Sequence, residues 1–126
     1  MAQRRMFSKK VTDTDVFLDM PLSTQALYFH LNMHADDDGF VGNLNTIKRM
    51  IGASKDDEKL LIAKQFLIPF EASGVVVIKD WRLHNYIRKD TYNPTIYGED
   101  KKKLSVSENG SYIVDGTSTD SPRLVN

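Results

Sequence analysis

The chain contains no cysteine. That excludes a disulfide framework, a thiol nucleophile and any thiolate metal site, and it fits a reducing compartment. No apolar run approaches the ~20 residues that a membrane-spanning helix needs. Met1-Ala2-Gln3-Arg4-Arg5-Met6-Phe7 carries two arginines without an apolar stretch behind them, so a secretory signal is not expected. Net charge is absent too, with 17 Lys and Arg against 17 Asp and Glu. Glycine-rich phosphate loops, the GxSxG elbow and the HExxH metal motif are all missing. Their absence removes the usual cradle for nucleotide hydrolysis, the exposed serine nucleophile and the zinc-protease helix. The expectation is a protein that is not an enzyme, takes no cofactor, avoids membranes and works in the cytoplasm.

What is present is enough for one core: 126 residues, of which 40% are apolar. The expected organisation is a domain over residues 1–103 with a basic N-terminal arm, followed by a flexible tail or linker over 104–126. That last stretch is rich in Ser, Thr, Gly and Asp and has little periodicity. Charge is segregated along the chain. Residues 1–10 carry four basic side chains (Arg4, Arg5, Lys9, Lys10) and no acid, whereas residues 11–40 carry six aspartates and no Lys or Arg. Residues 79–103 carry seven basic residues and four acids. A neutral chain arranged this way can present a basic face, because phosphates feel the field within a Debye length of ~8–10 Å.

Local signals give the order of elements. Thr12 or Thr14 is expected to cap a short helix reaching Met20, and Pro21 to end it. Ser23 is expected to cap a core helix carrying Leu27 and Leu31, which stops before the turn Asp36-Asp37-Asp38-Gly39. Phe40-Val41 forms a very short strand. A third helix, capped by Asn43 or Asn45, carries Leu44, Ile47, Met50 and Ile51 and closes at Gly52. Ser54 caps a fourth, with Asp57 three residues on as the acid of a capping box. Two short helices joined by so tight a link make a helix-turn-helix pattern. Leu67-Ile68-Pro69-Phe70 and Val75-Val76-Val77-Ile78 then pair as a hairpin, Pro69 pushing its strand to the sheet edge. The predicted fold is mainly α with a small β-hairpin, in the order of a winged helix-turn-helix.

Candidate chemistry is thin. His30 and His34 stand one turn apart before three aspartates, but the spacing fits no calcium loop, so a solvated turn is expected rather than a metal site. Basic residues interleaved with aromatics from Lys79 to Tyr92 are the stronger signal, since cations neutralise phosphates and rings stack on bases. Trp81, Leu83, Tyr86 and Ile87 are expected to pack inward and Arg82, Arg88 and Lys89 to face out. The candidate DNA contacts are Arg4, Arg5, Lys9, Lys10, Lys48, Arg49, Lys55, Lys59, Lys79, Arg82, His84, Asn85, Arg88 and Lys89. One feature opposes groove reading by the fourth helix: Asp56, Asp57 and Glu58 crowd its N-terminal end, where they would repel phosphates. That favours contacts from the N-terminal arm, the wing and the Arg82–Lys89 stretch, or a domain whose main work is protein contact.

A family resemblance adds to this. Met6 to Lys10, Phe17 to Met20, Ser23 to Leu31, Ala35 to Val41, Met50 to Ala53 and the closing Trp81 to Asp90 together resemble the N-terminal domain of phage replisome organiser proteins. They span roughly residues 4–97. The family is similar in role to DnaD-type primosome proteins. The resemblance implies a winged-helix domain that binds DNA at a replication origin, self-associates into a homo-oligomer, and helps recruit a replicative helicase or helicase loader in a bacterial host cell. The alternatives left open are a protein-interaction and oligomerisation module of the primosome and a phage transcriptional regulator.

Overall fold

A computed structural model describes residues 4–114. Its elements run α1 (Lys9–Thr12), α2 (Asp15–Leu18), α3 (Leu22–His34), β1 (Phe40–Val41), α4 (Leu44–Ile51), α5 (Lys55–Ala63), β2 (Leu67–Phe70), β3 (Val75–Ile78), α6 (Trp81–His84), α7 (Gly98–Lys101), β4 (Leu104–Val106) and β5 (Tyr112–Val114). This is a small α+β domain. Among the described residues no helix is long and apolar enough to cross a membrane.

The core forms around α3, whose Leu27, Tyr28 and Leu31 are fully buried. Phe17 and Phe66 meet Tyr28 edge-on, with ring centroids 5.4 and 5.5 Å away, an arrangement that aromatic quadrupoles favour. Ile47 of α4 and Leu61 of α5 close the helical side. A three-stranded antiparallel sheet of order β1-β3-β2 closes the other, with all four residues of the central strand β3 buried. Pro69, which has no N–H to give, lies on the edge strand β2 opposite Val76, as its chemistry requires.

Local rules account for most helix ends. Gly52 ends α4 at φ 75°, a left-handed position that suits a residue without Cβ. Ser54 and Asp57 form the reciprocal capping box on α5. Thr14, one of the two expected caps, does cap α2, but that helix ends at Leu18 rather than reaching Met20, and a separate single turn, α1, precedes it with Ser8 as its cap. Pro21, not Ser23, precedes the first residue of α3. The Ser23 hydroxyl donates instead to Asp57 Oδ1 at 2.8 Å.

The expected tail is corrected over residues 104–114. β4 and β5 pair as a second hairpin in the register Leu104↔Val114 and Val106↔Tyr112. It is anchored rather than loose: Tyr112 is buried, its hydroxyl donating to the Asp38 carbonyl at 2.8 Å and its N–H to the Lys79 carbonyl at 2.9 Å. The rest of that stretch, residues 115–126, lies outside the described residues.

Candidate nucleic-acid interface

The turn after α3 is the joint on which the surrounding loops hang. It is not solvated. Asp37 and Asp38 are buried, and protein donors take the place of water around the three carboxylates. Asp36 Oδ1 accepts the N–H groups of Asp38 and Phe40, and its other oxygen accepts the Thr95 hydroxyl. Asp37 Oδ2 accepts the Asn93 N–H at 3.0 Å. Asp38 accepts the Tyr92 hydroxyl and the Thr95 N–H, and pairs with Lys101 at 3.0 Å. Burial lowers the pKa of the Lys101 ammonium, but hydrogen bonds to Tyr92 and Asp38 outweigh it and leave the group raised. His34 Nδ1 sits 2.9 Å from the His30 carbonyl on an exposed stretch of helix. Sequence spacing located this acidic turn but not its distant partners, which come from 54 residues downstream (Tyr92) to 63 (Lys101).

Several expected DNA contacts are structural instead. The Arg5 side chain is 3% exposed: its Nη2 donates to the Ala35 carbonyl at 2.7 Å, and its guanidinium lies 4.9 Å from the centre of the Trp81 ring. Its Nη1 faces Asp37 Oδ1 at 3.6 Å, close enough to attract but too long for a hydrogen bond. His84 is buried, Nδ1 accepting the Ser8 N–H at 2.9 Å and Nε2 lying 2.6 Å from the Tyr28 hydroxyl. Neutral His84 therefore carries its proton on Nε2. Burial holds its pKa below the ordinary value, against the opposing pull of Asp80. Asn85 is buried as well, its Oδ1 accepting the Met6 N–H at 2.9 Å. These three side chains fasten the N-terminal segment to the domain. Lys48 is committed to Glu58, and Lys79 to Asp80 at 3.1 Å. Arg88 pairs with Asp90 on the open surface, where such a contact contributes little.

The remaining candidates, Arg4, Lys9, Lys10, Arg49, Lys55, Lys59, Arg82 and Lys89, are exposed. None has an acidic partner within 4.0 Å among the described residues. Two groups of them gather at concavities. Arg49 and Lys55 line a depression of about 380 Å³ at the α4–α5 turn, together with Asn45, Lys48 and Ala53. Arg82 and Lys89 line a larger one of about 450 Å³ beside the acidic turn. Tyr86 stands at that second cavity and is 79% exposed, contrary to the expectation that it packs inward. Trp81 does pack inward, its indole N–H donating to the Asp37 carbonyl.

The acids on α5 change the electrostatic picture of that helix. Asp57 is buried and accepts from the Ser23, Thr24 and Ser54 hydroxyls and from the Ser54 N–H. Burial alone would raise its pKa; these hydrogen bonds, Thr24 foremost, hold it lowered. Glu58 is neutralised by Lys48. Of the three carboxylates expected to repel phosphate, only Asp56 is both exposed and uncommitted. No family model, curated protein or solved structure matches this chain.

Proposed function

We propose that this is a winged-helix DNA-binding domain acting in phage or prophage replication initiation, where it binds the origin and helps recruit the replicative helicase in the bacterial cytoplasm. The order α3-β1-α4-α5-β2-β3 supports the winged-helix reading, with residues 71–74 as the wing. The replication role rests on the resemblance to replisome organisers. One observation carries the DNA-binding reading: two of the three acids at the start of α5 are consumed internally, while Arg49, Lys55 and Lys59 are left exposed on the helix-turn-helix. Three cations against Asp56 make a surface that phosphates can approach.

Fluorescence anisotropy of the protein with labelled duplex and single-stranded DNA at two salt concentrations tests this. Binding should weaken steeply with salt. Replacing Arg49, Lys55 and Lys59 together by Ala should flatten the log K against log salt slope by about 3, at roughly 0.9 for each phosphate no longer neutralised. No binding at low salt overturns the reading.

A second role in protein contact is favoured by Val16, Leu18 and Leu22, which are 51%, 54% and 82% exposed within one short segment. Apolar side chains left in water so close together suit a partner surface. Self-association through them should appear in sedimentation as a concentration-dependent dimer, which Leu18→Ser with Leu22→Ser abolishes. A wild-type protein that stays monomeric at high concentration removes this second role.

A further inference from the structure

We infer that the cavity between α6 and the acidic turn is a pocket for an unstacked nucleobase, so that this domain engages single-stranded DNA at a site separate from the α4–α5 surface. The inference rests on the DNA-binding reading and adds to it a second site with its own ligand.

Size, chemistry and charge all bear on it. About 450 Å³ lies within the ~300–1,000 Å³ typical of small-ligand pockets. Its lining is aromatic where a base needs a face: Tyr86 is 79% exposed, with Tyr92 also on the wall, while Trp81 borders the cavity from within the core. An exposed aromatic ring at a cavity rim carries hydration that stacking on a base would remove, and such stacking tolerates any sequence because every base has a π-face.

The cavity also has an edge for hydrogen bonding. Asn85 is more than nine-tenths buried, its Oδ1 is taken by the Met6 N–H, and its Nδ2 has no partner. Asp37 Oδ1 is answered within the wall by Arg5 Nη1 at 3.6 Å and offers the cavity nothing. Buried polar atoms in native folds are nearly always satisfied, so the orphaned Asn85 amide donor beside this cavity calls for an acceptor. Every nucleobase presents adjacent donors and acceptors on its pairing edge.

The charge balance favours a phosphodiester-linked ligand. Asp37 faces Arg5 and Asp38 is paired with Lys101, so those carboxylates are compensated within the wall. Arg82 and Lys89 remain, exposed and without acidic partners among the described residues, to meet the flanking phosphates. Duplex DNA keeps its bases stacked and cannot present one to such a cavity without extrusion, which costs a few kcal/mol.

The test uses the unaltered protein and three labelled probes: a short single strand, the same strand with abasic sites, and the corresponding duplex. Trp81 is the only tryptophan of the chain and borders the cavity, so its emission is sensitive to a change in what fills it. The expected result is quenching of Trp81 by the intact strand, and affinity for that strand reduced roughly 5- to 150-fold by Tyr86→Leu, the range that removal of one stacked base implies. Tyr86→Phe, which keeps the ring, should bind as the wild type does. Abasic sites should cause a similar reduction, while duplex affinity is unchanged by either Tyr86 variant. If the wild type binds DNA, yet the abasic strand binds equally well and Tyr86→Leu changes nothing, the base pocket is wrong and the DNA-binding function stands. If the wild type binds none of the three probes at low salt, both fall.

Discussion

Replacing Asp57 by Ala tests the view that this residue is a structural brace between two helices rather than a surface charge. Its carboxylate accepts Thr24 Oγ1 at 2.6 Å, Ser23 Oγ at 2.8 Å and the Ser54 N–H at 2.9 Å, joining α3 to the start of α5. Loss of the capping box alone costs about 1 kcal/mol. A hydrogen bond to a charged group contributes about 1.5–3 kcal/mol. Thr24 is fully buried, so its hydroxyl would be left with no water to replace the carboxylate. Ser23 and Ser54 are exposed and recover solvation, so they add little. The expected loss is about 3–4 kcal/mol, read as a lower urea midpoint at constant m and a melting temperature down by about 10–20 °C. The lowered pKa fixes a second signature. Stability from Asp57 is present above the ordinary 3.8 and is lost as pH falls through the lower folded value, so wild type and variant should converge in acid. A double-mutant cycle with Thr24→Val should show coupling, because the two groups are in contact. A variant within about 0.5 kcal/mol of wild type, the range of ordinary surface changes, would refute the argument.

Three further outcomes follow from the same geometry. His84 has a folded pKa held below the ordinary 6.5, so its contribution is complete above that value and is lost as pH falls through the depressed one. Titrating the melting temperature downward from neutral should show this loss, and His84→Asn should remove that part of the profile. Gly39→Ala should destabilise by about 2 kcal/mol or more through strained backbone and core overlap, because φ is +89° and the new Cβ would lie 2.6 Å from Trp81 Cγ; a melt unchanged within error would contradict it. Asp38→Ala should release the segment containing Tyr92, Thr95 and Lys101, detectable as faster protease cleavage there, while equal cleavage rates would show that other contacts suffice.

Elements governed by their immediate neighbours were legible from the residues alone. The Ser54–Asp57 box, the glycine stops at 39 and 52, and the edge position of Pro69 each depend on chemistry within a few positions, and the structure has them. The candidate site was legible only in part, because exposure is a tertiary property. Arg5 and Arg4 are adjacent and chemically alike, yet one is buried over Trp81 and the other is exposed. His84 and Asn85 sit in a basic, aromatic run that suggests contact with nucleic acid, but they serve as acceptors for the backbone of Met6 and Ser8. Those pairings span 79 and 76 residues, a separation at which no local pattern operates. Asp57 was recognisable as a cap, but not as the partner of Thr24. The hairpin at 104–114 was missed because its strands are three residues each and its composition is that of a loop.

The acidic turn after α3 also bears on the order in which the domain can be made. Synthesis runs at about 5–20 residues per second from the N-terminus. Tyr92, Thr95 and Lys101 must therefore leave the ribosome well after Asp36, Asp37 and Asp38 have done so. Until they do, α3 can pack only against its near neighbours, while three carboxylates wait in a region that later becomes dry. Closing such distant contacts is slow because chain entropy is lost before any contact forms. A nascent chain is thus held open at this turn until the segment through Lys101 has emerged, and the cavity beside it cannot be completed before then.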